Sequence, residues 1–219
     1  FQHSLGLKSD GSIVAWGLND SGQGTAPASN SGFVGISAGN SHNLGLKSDG
    51  SIVAWGWNAC SQCTVPVPNS GFVSCAAGGM HSLGLKSNGS IVAWGENFSG
   101  QCSIPLPNSL FTAVAAGDEH SLGLKSDGSI VRWGIENSDL RPVPSPNNGF
   151  VALAAGRGWS LGLAPEEMGD LQVTLSPPEA VATGAQWLLS NEAEAVWHNS
   201  GDIVKTRGTQ TRALTFKDV

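Results

Sequence analysis

Four histidines recur at one position of a repeating pattern, and histidine is a common ligand of metals and a common acid or base near neutral pH. They are His3, His42, His81 and His120, spaced 39 residues apart. A residue found at the same place in every repeat serves the packing of that repeat, because no single ligand touches all repeats in the same way. A metal or catalytic site would require the four side chains to converge. We therefore predict that they are structural and hydrogen-bonded near the interfaces between repeats.

Cys60 and Cys63 have the C-x-x-C spacing that occurs in zinc sites and in redox-active disulfides. Zinc would need a second pair of ligands at similar spacing, and a redox motif would need the amino terminus of a helix. Neither is indicated here. Cys63 and Cys102 occupy one position in neighbouring repeats, where sheets pack about 10 Å apart, which is too far for a disulfide. Cys75 stands where other repeats have Ile, Val or Leu, so it is a small buried hydrophobe.

Asp118, Glu119 and His120 are adjacent and together carry the groups of an acid–base site. Neighbouring residues on a strand point to opposite faces, which argues against such a site. Phosphate-binding loops, nucleophile elbows and EF-hand patterns are absent from the sequence. The predictions are no catalytic residue, no metal site, no cofactor and no enzymatic activity.

All of these residues belong to a unit that returns without insertion: His-Ser-Leu-Gly-Leu-Lys-Ser-Asp-Gly-Ser-Ile-Val-Ala-Trp-Gly. Alternating apolar residues on both sides of Asp-Gly predict a β-hairpin. A proline-containing segment and a Phe-Val run then complete the unit. We predict four strands per unit, A (33–38), B (42–47), C (51–56) and D (62–66), the size of one propeller blade. The recurring aromatic residues are predicted core: Trp16, Trp55, Trp94, Trp133, Phe33, Phe72, Phe111 and Phe150.

The chain is predicted to be all-β, with four full 39-residue repeats of a partial β-propeller and a fifth begun. The fifth starts at Trp159 and is abandoned at Pro165, because proline ends the strand pattern. This predicts repeats over 1–164, a linker over 165–168, and a small β-sandwich-like module over 169–219. Within that module, strand-like runs are Leu171–Leu175, Gln186–Leu189 and Ala213–Phe216, with shorter ones at Val196–Trp197 and Ile203–Val204.

Composition excludes some classes of function. The chain has 219 residues, a net charge of −6 and only 11 Lys and Arg, which argues against a nucleic-acid surface. It has no apolar run long enough for a membrane span. The chain starts at Phe1 inside a repeat, so we expect a fragment of a longer protein, an unusually small closed ring being the alternative. In the fourth repeat, Glu136 and Leu140 replace the usual Asn and Gln and are expected to loosen its outermost strand.

The repeated string, followed by Asn, Gln, Pro and then Phe-Val-x-x-Ala-Gly, resembles the regulator of chromosome condensation repeat in its bacterial form over roughly residues 1–163. The resemblance implies a β-propeller, usually seven-bladed, that serves as a binding platform. Some members are guanine-nucleotide exchange factors, and one bacterial relative inhibits a β-lactamase. The tail, with Gly184–Trp187 and Trp197–Gly201, resembles a small β module of some bacterial surface proteins, which implies an extracellular or cell-surface location.

Antiparallel order places the A–B and C–D loops on one face of the repeats and the Ser-Asp-Gly-Ser turns on the other. The loop residues vary between repeats, whereas the turns hardly vary. Aromatic and Arg side chains on loops of a rigid scaffold are typical of protein-binding surfaces. The predicted binding residues are Asn40, Trp57, Met80, Glu96, Phe98, Asp118, Glu119, Ile135 and Arg157. The alternative is that these loops are merely unconstrained.

These observations favour a non-catalytic module that binds a protein partner, whose identity the sequence does not show, through the variable loops. One alternative is an enzyme regulator, such as a guanine-nucleotide exchange factor or an enzyme inhibitor. Another is a structural spacer for surface display. A catalytic site would bring titratable groups together in a pocket, a binding module would present a broad shallow patch, and a spacer would lack a sizeable apolar patch.

Overall fold

The computed structural model of the protein describes residues 3–135, 142–165, 168–172, 187–189, 203–207 and 214–216. The chain divides into two compact units, Phe1–Ala164 and Pro165–Val219. The described residues contain no helix, and therefore none that is long and apolar enough to cross a membrane.

The first unit is a series of five antiparallel sheets, here called blades 1 to 5. Blade 1 has β1 (His3–Leu7) and β2 (Ile13–Gly17). Blade 2 has β3 (Phe33–Ala38), β4 (His42–Lys47) and β5 (Ile52–Gly56). Blade 3 has β6 (Phe72–Ala77), β7 (His81–Lys86) and β8 (Ile91–Gly95). Blade 4 has β9 (Phe111–Ala116), β10 (His120–Lys125) and β11 (Ile130–Gly134), and blade 5 has β12 (Ala152–Ala155) and β13 (Ser160–Leu163).

Strands A, B and C of the predicted unit are confirmed, whereas the predicted fourth strand is wrong. Residues 62 and 63 lie in a turn, closed by the Thr64 amide donating to the Ser61 carbonyl, and residues 64–66 have no regular secondary structure. The segment is held by side chains of the next blade instead of by a ladder: Trp94 Nε1 and Ser82 Oγ both donate to the Gln62 carbonyl, at 2.8 and 2.9 Å. Pro66 removes one backbone donor from this stretch, which favours such anchoring over strand pairing.

The hairpin between strands B and C follows from local chemistry. In blade 2, Asp49 Oδ1 accepts hydrogen bonds from the Ser51 amide at 2.9 Å and from Ser51 Oγ at 2.7 Å. Gly50 follows Asp49 with a φ of 78°, a conformation that side-chain-bearing residues rarely adopt. The Asp-Gly-Ser sequence therefore determines where the chain reverses, and it does so again in blades 1 and 4.

The side chain of an asparagine before each strand A makes the two backbone hydrogen bonds that a neighbouring strand would otherwise make. Asn108 Oδ1 accepts from the Ile91 amide and Asn108 Nδ2 donates to the Ile91 carbonyl, both at 2.8 Å. The same pair of bonds joins Asn30 to Ile13, Asn69 to Ile52 and Asn147 to Ile130. The side chain thus ties the irregular segment to the first residue of strand C.

Replacing Asn108 by Ala is expected to destabilise the first unit by about 1–3 kcal/mol, because two partly buried backbone groups of Ile91 lose their partner. Asn108→Asp is the matched control, since a carboxylate still accepts from the Ile91 amide but cannot donate to its carbonyl. The measurement is the urea midpoint followed by tryptophan fluorescence. An unchanged midpoint in Asn108→Ala would show that water replaces the asparagine without cost.

The hydrophobic core lies between consecutive blades. Leu44, Leu46 and Ile52 of blade 2 pack against Phe72 and Trp94 of blade 3. The same set recurs one repeat later, where Leu83, Leu85 and Ile91 contact Phe111 and Trp133. A blade therefore buries its apolar residues only against its neighbours, as expected for a repeat array.

The prediction that every repeated tryptophan lies in the core is wrong for Trp16, whose side chain is 54% exposed, and Trp55 is only half-buried. Trp94 and Trp133 are buried because each packs against the segment that leaves the preceding blade, and each donates its Nε1 to a glutamine carbonyl there. Trp16 belongs to the first described blade, so no preceding blade covers it. The predicted core phenylalanines Phe33, Phe72 and Phe111 are buried, and Phe150 is half-buried.

In the second unit, the described residues form two antiparallel pairs. β14 (Met168–Gln172) pairs with β16 (Ile203–Arg207), and β15 (Trp187–Leu189) pairs with β17 (Leu214–Phe216). The predicted strand-like run Val196–Trp197 and the replaced residues Glu136 and Leu140 lie outside the described residues.

Candidate functional site

The A–B and C–D loops of blades 2 to 5 lie at one end of the sheets, and together they are here called the loop rim. The rim comprises residues 39–41, 57–61, 78–80, 96–100, 117–119, 135 and 156–159. The Asp-Gly turns lie at the opposite end, because strands B and C run antiparallel between the two. The predicted placement of the loops is therefore confirmed.

Backbone hydrogen bonds connect the loops of one blade. The amide of Trp57 donates to the Ser41 carbonyl at 2.8 Å, and the amide of Glu96 donates to the Met80 carbonyl at 2.9 Å. In blade 4, the Ile135 amide donates to the Glu119 carbonyl at 2.9 Å. Each C–D loop is thereby fixed beside the A–B loop of its own blade.

Further backbone bonds connect the rim from blade to blade. The Asn40 amide donates to the Gly78 carbonyl at 3.2 Å, and the Gly79 amide donates to the Gly117 carbonyl at 3.0 Å. The Asp118 amide then donates to the Arg157 carbonyl at 3.2 Å. The variable positions are thus held in one continuous, pre-ordered row across four blades.

The apolar rim side chains differ in exposure. Phe98 is 95% exposed, whereas Trp57, Met80 and Ile135 are half-buried. A fully exposed phenylalanine on an ordered loop is uncommon, and aromatic side chains of this kind often anchor a protein partner.

The charged rim side chains form local contacts. Arg157 Nε donates to Asp118 Oδ2 at 3.1 Å, which joins blade 5 to blade 4. Glu119 Oε2 accepts from Ser99 Oγ at 3.4 Å, beside Phe98, and Glu96 Oε2 accepts from Gln101 Nε2 at 3.3 Å. The structure therefore brings together Asp118 with Arg157, and Glu119 with the loop that carries Phe98. Whether these predicted residues bind a partner stays a prediction.

The four histidines lie in successive blade interfaces, as predicted. Their Nε2 atoms face a polar side chain 40 residues later: Asn43 Oδ1 at 2.7 Å, Ser82 Oγ at 2.9 Å, Ser121 Oγ at 2.9 Å and Ser160 Oγ at 3.0 Å. Burial lowers the pKa of His42 to about 4 and, with the neighbouring histidines His42 and His120, lowers the pKa of His81 to about 3. These two side chains are therefore neutral near pH 7.

Asp118, Glu119 and His120 take three different partners. Asp118 pairs with Arg157, Glu119 accepts from Ser99, and His120 faces Ser160. This separation agrees with the argument from strand geometry. In the part of the chain that the structure describes, no group of three or more His, Cys, Asp or Glu side chains is placed to hold a metal ion.

The four cysteines are free thiols. Burial raises the pKa of Cys63 to about 11 and that of Cys75 to about 12, and burial together with the Glu96 carboxylate raises the pKa of Cys102 to about 11. Thiolates are the reactive and metal-binding form, so these environments oppose both kinds of chemistry.

We expect iodoacetamide at pH 8 to modify Cys63, Cys75 and Cys102 more than tenfold more slowly in the folded protein than in urea. The reason is that pKa values of about 11 to 12 leave a very small thiolate fraction at this pH. Time-resolved peptide mass spectrometry measures each site separately. Equal rates in the two states for any of the three cysteines would contradict the burial of that thiol.

Two features of the first unit were not predicted from the sequence. Val67 and Leu106 are 92% and 89% exposed, outside the loop rim, on the segments that lead to the opposite end. Arg132 replaces the Ala54 and Ala93 of other repeats, and its Nη1 is buried with no hydrogen-bond partner among the described residues. The replacement of a repeated alanine by arginine at this position could have been identified from the sequence alone.

Comparison with known proteins places this geometry in a family. The model of the regulator of chromosome condensation (RCC1) repeat matches residues 1–23, 33–62, 72–101 and 111–139. No curated protein sequence matches the chain.

Similar solved structures have the same architecture. The ectodomain of the receptor kinase CR4 from Physcomitrella patens is 27% identical, with a TM-score of 0.63 over 74% of this chain and 47% of that chain. The CRINKLY WD40 ectodomain of the Arabidopsis thaliana receptor kinase ACR4 is 28% identical, with a TM-score of 0.58 over 74% and 56%. Prp20p from Saccharomyces cerevisiae is 21% identical, with a TM-score of 0.61 over 74% and 53%, and shows the fold alone.

The chain spans about half the length of these structures. The four matched segments coincide with the hairpins and the Phe-Val strands that build blades 1 to 4, so the blades are those of a β-propeller. By its repeats and by its fold, the chain belongs to the regulator of chromosome condensation (RCC1) repeat family.

Proposed function

We propose that this chain is a non-catalytic binding module that recognises a protein partner through the loop rim. The observation that carries this proposal is the row of backbone hydrogen bonds that fixes the variable loops of blades 2 to 5 side by side. A surface that is ordered before binding loses little conformational entropy when a partner docks.

The chemistry of the rim supports a protein partner. Phe98 offers a large exposed aromatic ring, and Trp57 and Met80 offer further apolar surface in the neighbouring loops. The ion pair of Asp118 and Arg157 lies in the same row and is open to solvent at its Arg157 end, as the charged edge of a protein interface commonly is.

An extracellular or cell-surface location is part of the proposal. The solved structures from Physcomitrella patens and Arabidopsis thaliana are ectodomains of receptor kinases. Domains of similar structure therefore occur in the ectodomains of these two receptor kinases, and the resemblance of the tail to bacterial surface proteins points the same way.

Enzyme regulation is the second candidate. Prp20p has binding properties to Gsp1p and histones, and a further structure shows Kap60 bound to yeast RCC1 (Prp20). At 21% identity these likenesses concern the fold, so exchange-factor activity stays an alternative, as do enzyme inhibition and a purely structural spacer.

The test compares two double variants of the immobilised chain. Trp57→Ala with Phe98→Ala removes apolar surface from the rim, and Val67→Ala with Leu106→Ala removes exposed apolar surface elsewhere on the same unit. Both are incubated with envelope and secreted proteins of the source organism, and the retained proteins are quantified by mass spectrometry.

We expect at least one protein to be retained by the unmodified chain and by the Val67/Leu106 variant, and to be lost tenfold or more from the rim variant. Equal retention by all three chains, or loss only from the Val67/Leu106 variant, would exclude the rim as the binding surface. A retained protein whose nucleotide release or enzymatic rate the chain alters would select the regulator alternative.

A further inference from the structure

Two carboxylates of the loop rim are held at the loop that carries Phe98. Glu119, from the A–B loop of blade 4, accepts a hydrogen bond from Ser99 Oγ at 3.4 Å, and Ser99 directly follows Phe98. Glu96 begins the loop, and its Oε2 accepts from Nε2 of the fully buried Gln101 at 3.3 Å. The Phe98 ring, which is 95% exposed, therefore lies on a short loop with one carboxylate from its own blade and one from the next.

This combination of residues breaks the repeat. The equivalent positions carry other residues in the two preceding repeats: Trp57, Ala59 and Met80 in one, and Leu18, Asp20 and Ser41 in the other. Residues that serve the packing of every blade recur at the same position, as the histidines do. Glu96, Phe98 and Glu119 do not recur, so the scaffold does not require them.

The chain shows in three of its blades how a phenylalanine ring binds a cation. Nζ of Lys125 lies 4.1 Å from the centroid of the Phe111 ring. It also donates hydrogen bonds to the carbonyls of Pro107 and Ser109, at 3.0 and 2.7 Å. The other two such pairs are Lys47 over Phe33 and Lys86 over Phe72. At Phe98 the ring is open to solvent and the nearby acceptors are carboxylates, which bind a cation more strongly than carbonyls do.

Charge is distributed unevenly between the two ends of the first unit. The lysines lie beside the turns between strands B and C, at the end opposite the loop rim: Lys8, Lys47, Lys86 and Lys125. Within the described rim, Arg157 is the sole cation, and it pairs with Asp118. In the same part of the chain, Glu96 and Glu119 accept hydrogen bonds from neutral donors. The rim near Phe98 therefore attracts positive charge.

We propose that the protein partner of the loop rim presents an arginine or lysine side chain, which packs on the ring of Phe98 and donates to the carboxylates of Glu96 and Glu119. This inference rests on the function proposed above and specifies the chemistry of the partner. Arginine fits best, because its planar guanidinium stacks on an aromatic ring and donates to a carboxylate at the same time.

The experiment uses fluorescence anisotropy to titrate the full chain into a labelled peptide of sequence Gly-Arg-Gly-Arg-Gly-Arg-Gly. The matched peptide has citrulline in place of arginine, which keeps the shape of the side chain and removes its charge. We expect the arginine peptide to bind with a dissociation constant below about 1 mM, and the citrulline peptide to bind at least tenfold more weakly. Equal binding of the two peptides, or no binding of the arginine peptide at this concentration, would overturn the proposal.

A double variant tests the carboxylates. Glu96→Gln with Glu119→Gln removes two charges and keeps an oxygen that accepts from Gln101 and from Ser99. We expect it to bind the arginine peptide at least fivefold more weakly than the unmodified chain. Urea midpoints verify that the fold is retained, and the peptide pair alone decides the question if the double variant misfolds.

The matched control removes the same charge at the opposite end of the unit, by Asp49→Asn with Asp127→Asn. The fold accommodates this change, because Asn88 already makes the equivalent turn bonds in blade 3, to the Ser90 amide at 3.0 Å and to Ser90 Oγ at 2.7 Å. We expect the control to bind the arginine peptide within a factor of two of the unmodified chain. An equal loss in both double variants would show that net charge alone attracts the peptide, against the proposal.

Phe98→Leu tests the ring, since leucine keeps apolar surface but has no aromatic face. We expect binding of the arginine peptide to weaken about two- to fivefold. Unchanged binding would exclude the ring as part of the site.

The retention experiment, repeated with the Glu96/Glu119 variant, separates this inference from the function proposed for the rim. A protein that is lost from the Trp57/Phe98 variant but fully retained by the Glu96/Glu119 variant would refute the cationic partner and leave the rim as the binding surface. If neither rim variant loses a protein, the function on which the inference rests is itself wrong.

Discussion

Lowering the pH from 7 to 4.5 is expected to destabilise the first unit by about 2–3 kcal/mol for each of His42 and His81, whose pKa values are lowered to about 4 and about 3. The measurement is a series of urea unfolding curves between pH 7 and pH 4.5. The two contributions together are a large part of the stability of an ordinary domain.

The sign follows from the pKa values in the two states. In the unfolded chain the histidines have a pKa near 6.5, so below that pH they bind protons that the folded chain does not bind. Their contribution to stability is therefore complete above about pH 6.5, and it is lost as the pH falls toward the folded-state values. The turn aspartates Asp10, Asp49 and Asp127 have pKa values lowered from 3.8, so their contribution is lost only at lower pH.

The matched variant is His81→Gln, which retains a side chain able to reach Ser121 but does not titrate. We expect its unfolding free energy to depend less steeply on pH between 6 and 5, by nearly one proton. A loss of packing lowers the unfolding free energy by the same amount at every pH. The slope of that free energy against pH therefore reports protonation and not packing. Equal slopes in both proteins would show that His81 is not the buried neutral group described here.

Leu83→Ala is expected to destabilise the first unit by about 2–5 kcal/mol, and Leu161→Ala by less than about 1 kcal/mol. The two leucines occupy the same position in repeats that are 78 residues apart. Leu83 is fully buried against Phe111 and Trp133 of the next blade, whereas Leu161 in blade 5 is 60% exposed. Urea midpoints and m-values of both variants give the comparison.

Comparing these two variants separates the effect of the residue type on stability from the effect of the surrounding residues, since the repeat sequence around both leucines is Ser-Leu-Gly-Leu. A large loss for Leu161→Ala would contradict its exposure and would indicate that the outer face of blade 5 is covered in solution. A small loss for Leu83→Ala would contradict the assignment of the core to the blade interfaces.

Regular spacing made most of the propeller predictable. The alternation around Asp-Gly predicted the B–C hairpins, and the Phe-Val run predicted strand A; both are confirmed in blades 2 to 4. The recurrence of histidine at one position predicted an interface role, and the bonds of His42 to Ser82 and of His81 to Ser121 confirm it.

The errors arose where a residue depends on its neighbours in space. The segment 62–66 has the composition of an edge strand, but the Trp94 and Ser82 side chains of the next blade hold it in another conformation. Trp16 has the same sequence context as Trp94, yet its exposure differs because burial depends on a preceding blade. Neither fact is contained in the local pattern.

The sequence by itself therefore determined the secondary structure of the unit, the order of the blades and the face on which the variable loops lie. These properties come from local backbone preferences and from a period that repeats them, so they need no knowledge of distant contacts. The tertiary structure alone decided which copies of a repeated residue are buried and how the rim loops bond to one another. Those properties depend on what lies across each interface, and identical repeats differ in that respect at the ends of the array.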